Sequence, residues 1–272
     1  MAEEGEEERG RAKGEGGEAD LFKRLIRANE DEGDGSKLND DELLSTTYVF
    51  LLAGHETTAN TLAFACALLA LNPSVQAKLR EEADSVWPSV SSLSSEIAFQ
   101  SYREDMPRLK YAEATFRETL RLFPAEVRIT KRVARDTVLR GTYLKTGEKY
   151  DMPVPKGTVF WIDIWAVHRM KMWWGEDAEE FRPDRFLDTA EYKWPRDAFM
   201  PFSLGARACI GARFATLEGM LILSLLVREY EICLTPEMEA LPVEERMRQM
   251  LSWKIGVAIQ AKGAKVLLKK RK

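Results

Sequence analysis

Residues 46–71 read TTYVFLLAGHETTANTLAFACALLAL, and this run constrains the fold of the 272-residue chain more than any other stretch. It is far longer than a strand and apolar on nearly all sides, so it reads as a helix. It is long enough to cross a bilayer, yet His55, Glu56 and Asn60 sit near its middle, where hydrocarbon penalises them. The expected form is a buried helix in the core of a soluble domain. Asn39, with Glu42 three residues on, suits a capping box at its start. It should stop near Asn72, and Pro73 suits the first turn of the next helix, PSVQAKLREEADSVW.

The rest of the chain predicts a mainly helical body with a minor β part. LKYAEATFRETLRLF is amphipathic and ends before Pro124, and GARFATLEGMLILSLLVREYEICL reads as one strongly apolar helix. From Val127, VRITKRVARDTVL and TYLKTGEKYDMPVPKGTVFWIDIW are β-rich with Gly and Pro turns, and MLSWKIGVAIQAK reads as a hairpin. Residues 88–107 read as loop with one short helix. Residues 1–20 hold eight acids, three bases and five glycines, with no apolar face to bury, so disorder is expected there. Residues 1–35 are therefore read as a tail plus the end of a preceding helix, and 36–272 as the folded domain.

Net charge is −4, which gives no general affinity for nucleic acid. Cys66, Cys209 and Cys233 form no C-x-x-C pair and are odd in number, which excludes a disulfide scaffold or zinc ribbon. Two histidines, His55 and His168, are too few for a histidine-rich metal site.

Residues 201–211, PFSLGARACIG, place Cys209 between Gly205 and Gly211, with Arg207 two residues before it and Phe202 seven before it. Cys209 would sit at the start of a helix beginning near Gly211, where free N–H groups and the helix dipole favour a thiolate. Glycines let backbone approach a flat, bulky partner. Arg207 offers a charged fork to a carboxylate, and Phe202 a packing face. A flat ligand with carboxylates and a thiolate-binding centre is haem. The alternative is a nucleophilic or buried cysteine in a glycine-containing turn.

Two further patterns carry chemistry. AGHETT, residues 53–58, puts Glu56 and Thr57 inside the apolar helix, where an acid beside an alcohol can relay protons. A Thr57 hydroxyl bonded back to Ala53 would widen the turn there. The alternative is a buried polar pair satisfied by its neighbours. ETLR, residues 118–121, puts Glu118 and Arg121 on one helix face, and FRPDRF supplies Arg185; such pairs are most often surface features.

PFSLGARACIG resembles the cysteine loop of the cytochrome P-450 family, F-x-x-G-x-R-x-C-x-G, through Phe202, Gly205, Arg207, Cys209 and Gly211. AGHETT resembles the family's oxygen-binding helix, and ETLR with Arg185 its buried charge network, with Asp184 in place of the more frequent glutamate. The resemblance implies a P-450 fold with haem b as cofactor, Cys209 as the axial iron ligand and Arg207 on a propionate. It implies that Glu56 and Thr57 deliver protons to dioxygen, and that Glu118, Arg121 and Arg185 support the cysteine loop. His168, next to Arg169, matches the family's His-Arg pair and is a candidate propionate contact, with a packing role as the alternative. Arg128 and Thr130 are candidate substrate-lining residues, and Arg132 or Lys131 a second propionate contact. A cationic Arg128 would favour a polar or anionic substrate end.

The resemblance covers residues 20–272 and only the C-terminal half of a family member, without its N-terminal helices and strands. The implied activity is monooxygenation of a small lipophilic substrate by dioxygen, with electrons from a separate NADPH-dependent reductase. Arg213 is a candidate for that docking surface. Relatives imply an endoplasmic reticulum membrane location, although no transmembrane anchor is read here. The alternative is a truncated, non-catalytic haem-binding or interaction fragment. Poor solubility and weak haem retention are expected of the isolated chain.

Overall fold

The computed structural model describes residues 21–31, 37–87, 102–143 and 145–271. The expected disordered stretch 1–20, and residues 88–101 of the expected loop, lie outside the described residues.

Six helices of two turns or more carry the described architecture: α1 (Leu21–Asp31), α2 (Asp40–Leu71), α3 (Pro73–Val86), α4 (Lys110–Leu122), α5 (Ala212–Glu229) and α6 (Val243–Met250). The strands are β1 (Arg128–Arg132), β2 (Thr137–Thr142), β3 (Lys149–Val154), β4 (Val159–Asp163), β5 (Tyr230–Cys233), β6 (Trp253–Ile255), β7 (Ile259–Ala261) and β8 (Leu267–Lys270). They pair two by two and antiparallel, as β1–β4, β2–β3, β5–β8 and β6–β7. The helical body with a minor β part is therefore as expected, although the β part is four separate ladders.

The chain divides after His55 into two compact units. In the first, Asn29 ties the end of α1 to the approach of α2, donating to the Leu38 carbonyl at 3.0 Å and accepting its N–H at 2.7 Å. The expected capping box is formed: the Glu42 N–H reaches Asn39 Oδ1 at 3.0 Å, and the Asn39 N–H reaches Glu42 Oε2 at 2.9 Å. Burial along the whole apolar run is not found. Tyr48 and Leu51 are 64% and 61% exposed, and Val49 and Leu52 are exposed as well, as is Leu44 just before the run. Continuous burial begins only at Thr61 and holds to Ala70, apart from half-buried Leu62, Ala63 and Cys66. Among the described residues, no single helix is long and apolar enough to cross a membrane.

The second unit is organised around α5, which packs against α4 and α3. Contact with α4 is close at Gly219, where a Cβ would lie 2.2 Å from Phe116 Cε2, so a residue without a side chain is required. Leu79, Leu109, Leu223 and Met250 are fully buried around this contact, and each contributes about 1.5–3 kcal/mol by burial.

α5 ends at Glu229, so the helix expected to run through Leu234 is five residues shorter. Tyr230–Cys233 instead pairs with β8, a strand that the sequence did not single out. Gln76 of α3 is buried against β5 and engages both backbone groups of Ile232, donating to its carbonyl at 2.9 Å and accepting its N–H at 2.8 Å. A buried amide with partners on both ends fixes this strand beside the helices.

Candidate active site

Helix α4 turns Glu118 and Arg121 inward, and both side chains are wholly buried. The guanidinium of Arg121 engages Glu118 by two parallel bonds, Nε to Oε2 at 2.6 Å and Nη2 to Oε1 at 2.8 Å. Arg185, on the single 3-10 turn Pro183–Phe186, adds Nε to Glu118 Oε1 at 3.0 Å and is also fully buried. One carboxylate thus faces two guanidiniums. Asp177 supplies a second anion to Arg185 at 3.3 Å, and the carbonyls of Trp174, Asp177, Ala178 and His168 accept the remaining N–H groups. Charges this deep persist only when every donor is met. The surface alternative for the ETLR pair is therefore excluded by geometry. Asp184 lies outside this network and bonds Lys78 at 3.0 Å and Tyr111 at 3.3 Å.

His168 joins the network to the cysteine loop. It is fully buried and stacks on Phe199. Nε2 accepts the Met200 N–H at 2.9 Å, so the proton sits on Nδ1, which donates to the Arg121 carbonyl at 3.1 Å. Burial, with the charges of Arg121 and Arg169 assisting, pushes its pKa down to about 3 and keeps the ring neutral. Both ring nitrogens are engaged by backbone. The arrangement is that of the packing alternative, and no ring nitrogen is left for a propionate. Arg169 beside it lies over the Trp165 ring, bonds Glu179 at 3.1 Å and donates to the Leu122 carbonyl.

From Met200 the chain enters the loop. The Ser203 N–H returns to the Met200 carbonyl at 3.0 Å, the Cys209 N–H to the Phe202 carbonyl at 2.8 Å, and the Ala208 N–H to the Gly205 carbonyl at 3.0 Å. Gly205 adopts φ +83°, and the space where its Cβ would stand is empty to 4 Å. α5 opens at Ala212 with Gly211 as its N-cap and no side-chain cap, so Cys209 lies just before uncapped N–H groups. The Cys209 thiol is exposed, whereas Cys66 is held in the core, where burial pushes its pKa up to about 11.

The surroundings of Cys209 fit a flat apolar macrocycle bearing carboxylates. Leu204, Ile210 and Phe214, all within five residues of Cys209 in the chain, are 51%, 86% and 71% exposed, apolar surface that water alone would not favour. Arg207 is exposed, and no carboxylate among the described residues engages it. Among those residues no three His, Cys, Asp or Glu side chains converge as a metal site, so iron here would need most of its ligands from a cofactor. A separate groove of about 580 Å³ is walled by Phe199, Phe202, Arg213, Arg117 and Met220. Cys209, Gly205 and Arg207 are not among its walls, so it is distinct from the thiol face.

The polar notch is an uninterrupted α-helix, without the widened turn expected at Ala53. Within it Asn60 donates to the Glu56 carbonyl at 2.8 Å and the Thr61 hydroxyl to the Thr57 carbonyl at 2.9 Å. Glu56 and Thr57 are half-buried, and Gln260 Nε2 donates to Glu56 Oε1. Gln260 went unnoticed in the sequence, because a strand's period-2 pattern does not name the partner of a polar residue.

On β1 burial alternates, placing Arg128, Thr130 and Arg132 on the exposed face and Ile129 and Lys131 on the other. The Arg128 guanidinium is already paired with Asp163 at 3.3 Å and sits 6.0 Å from the Trp161 ring.

The cytochrome P-450 family model matches residues 1–266, and the chain belongs to that family. It is 38% identical over 255 residues to cytochrome P-450 monooxygenase 124 of Postia placenta, covering 93% of this chain and 47% of that protein. The putative cytochrome P-450 CYP13A3 of Caenorhabditis elegans is 35% identical over 71% of this chain and 34% of its own length. A bifunctional cytochrome P-450/NADPH–P-450 reductase of Bacillus subtilis is 35% identical over 78% of this chain and 18% of its own length. The chain thus spans less than half the length of these relatives.

Proposed function

We propose that the protein carrying this chain is a haem-thiolate monooxygenase, with haem b held by Cys209. The observation that supports it most is the exposed Cys209 thiol on a loop that also exposes Leu204 and Ile210 and is tied through His168 to the Glu118–Arg121–Arg185 network. When bound, haem supplies the redox chemistry that activates dioxygen. The protein's own residues do the rest. The start of α5, with Gly211 at its N-cap and no side-chain cap, leaves open N–H groups just beyond Cys209. Arg207 pairs with a propionate, and Arg132 is the candidate for a second, since Lys131 is on the opposite face of β1. Phe202, Gly205 and Gly211 shape the loop. Glu56 takes and releases protons, and the Thr57 hydroxyl passes them on.

Thr130 and Arg128 share the β1 face with Arg132 and are candidates to meet a small lipophilic substrate. The Asp163 pairing neutralises Arg128 and removes the reason to expect an anionic substrate end. The reaction balances as substrate, dioxygen, NADPH and a proton giving hydroxylated product, water and NADP+. A separate NADPH-dependent reductase is the proposed electron donor, with Arg213 on the groove wall as a docking candidate, and the endoplasmic reticulum surface is the proposed location. A second reading, a haem-binding fragment without turnover, is favoured by the exposed apolar side chains on the first half of α2.

Turnover under labelled dioxygen with reductase and NADPH separates the two readings. One labelled atom in an organic product and one in water is expected of the monooxygenase. No haem-dependent NADPH consumption and no labelled product supports the non-catalytic reading.

A further inference from the structure

The notch of α2 is closed by a distant part of the chain. Glu56 and Asn60, one helical turn apart, meet consecutive residues of β7. Asn60 Oδ1 accepts the Ala261 N–H at 2.9 Å, while Gln260 Nε2 donates to Glu56 Oε1. Asn60 is itself oriented by its bond to the Glu56 carbonyl at 2.8 Å. The β6–β7 ladder, with Lys254 opposite Gln260, holds the amide in place. The hairpin is anchored beside its turn by Ile259, which pairs with Ile255 and is buried to 2% exposure. Asn60 thus ties β7 to the helical turn that carries Glu56, and Gln260 engages the carboxylate itself, although Glu56 is only half-buried and a water-facing glutamate needs no such support.

We propose that Gln260 is a positioning residue for Glu56, setting which carboxylate oxygen serves the proton path. The proposal rests on the reading of Glu56 as the proton-delivering acid. With Oε1 committed to the amide, Oε2 is the oxygen left to act. A proton taken from water at Oε2 leaves from the same atom, and Gln260 stays a neutral amide throughout. Without the amide the carboxylate is free to rotate, and the two oxygens become interchangeable. Proximity and orientation, not the supply of a charge, are what Gln260 adds.

The test uses the full-length, haem-loaded protein and four variants, one of them Glu56→Gln alone as the reference for the double variant. Gln260→Ala removes the donor. Gln260→Glu keeps its size but not its N–H. The double variant Glu56→Gln/Gln260→Glu exchanges donor and acceptor. Hydrogen exchange at the Ala261 amide reads the clamp without any turnover. It should rise about tenfold in both single variants, the loss of one charge-assisted bond, and return to the parent value in the double variant. With reductase and NADPH and no added substrate, peroxide released per NADPH and the solvent isotope effect read proton delivery. Both should rise in the single variants. The double variant should behave like Glu56→Gln alone. Unchanged exchange overturns the clamp. Faster exchange with unchanged peroxide share and isotope effect overturns positioning and leaves Gln260 a structural contact. If the parent protein forms no thiolate-haem band with carbon monoxide, the monooxygenase reading itself fails; a normal band with unaltered readouts overturns only the role of Gln260.

Discussion

The Nε2 atom of His168 accepts the backbone N–H of Met200 at 2.9 Å. Through this bond a buried charge network on α4 reaches a loop that is otherwise exposed from Leu204 to Ile210. On one side of the ring lies the Arg121 carbonyl, and on the other the residue whose carbonyl receives Ser203. The cysteine loop is thus rigid at its root and open at its tip, which suits a loop that must present one sulfur atom to a large ligand.

His168→Ala leaves the Met200 N–H and the Arg121 carbonyl without partners in the core. A loss of about 1–3 kcal/mol per stranded group is expected. Urea unfolding measures it, and His168→Gln, which can restore one of the two bonds, should recover part of the loss.

The same ring makes stability pH-dependent. Its folded pKa is about 3 against an ordinary 6.5, so the unfolded chain binds the extra proton between these values. The neutral ring's contribution is complete above pH 6.5 and is lost as pH falls toward 3, at up to about 1.4 kcal/mol per pH unit from this group. Denaturation midpoints of the parent protein should fall more steeply between pH 7 and pH 5 than those of His168→Gln.

Glu118→Ala takes the anion from Arg121 and leaves Arg185 with Asp177 alone. A cost of about 3–5 kcal/mol is expected, enough to remove most of a domain's stability. Arg185→Lys keeps the charge but cannot hold Glu118, Trp174 and Asp177 together from one planar group, so its thermal midpoint should also drop.

Gly219→Ala ordinarily stabilises a helix by about 1 kcal/mol. Here the added methyl would meet the Phe116 ring at 2.2 Å, so the sign should reverse to a loss of about 1–3 kcal/mol. Gly205→Ala differs in kind. Its site has room, but φ +83° strains any other residue by about 1–2 kcal/mol, a cost confined to the loop. Calorimetry on the two variants distinguishes a packing clash from backbone strain.

What the sequence disclosed depended on how local the signal was. The capping box at Asn39, the break at Pro73 and the shared helix face of Glu118 and Arg121 are short-range patterns, and all are present, whereas the burial of that face depends on Arg185 and the segment around it. The end of α5 was misplaced because YEIC is as apolar as the helix before it, and only pairing with the remote β8 makes it a strand. α6 was missed because VEERMRQM is polar and buries only Met250. Composition could suggest that the apolar run of α2 was buried, but burial depends on what lies beside it, and its first half is exposed. The motif residues of the cysteine loop were legible singly. The bond from His168 to Met200, like that from Gln260 to Glu56, spans distances in sequence that no spacing rule encodes.

The carbon monoxide spectrum of the dithionite-reduced protein, beside Cys209→Ala, tests the central claim most directly. A strongly red-shifted Soret band that is present in the parent protein and lost in the variant is the predicted result. A band that persists without Cys209, or no haem band in the full-length protein, would contradict the assignment of this thiol as the iron ligand.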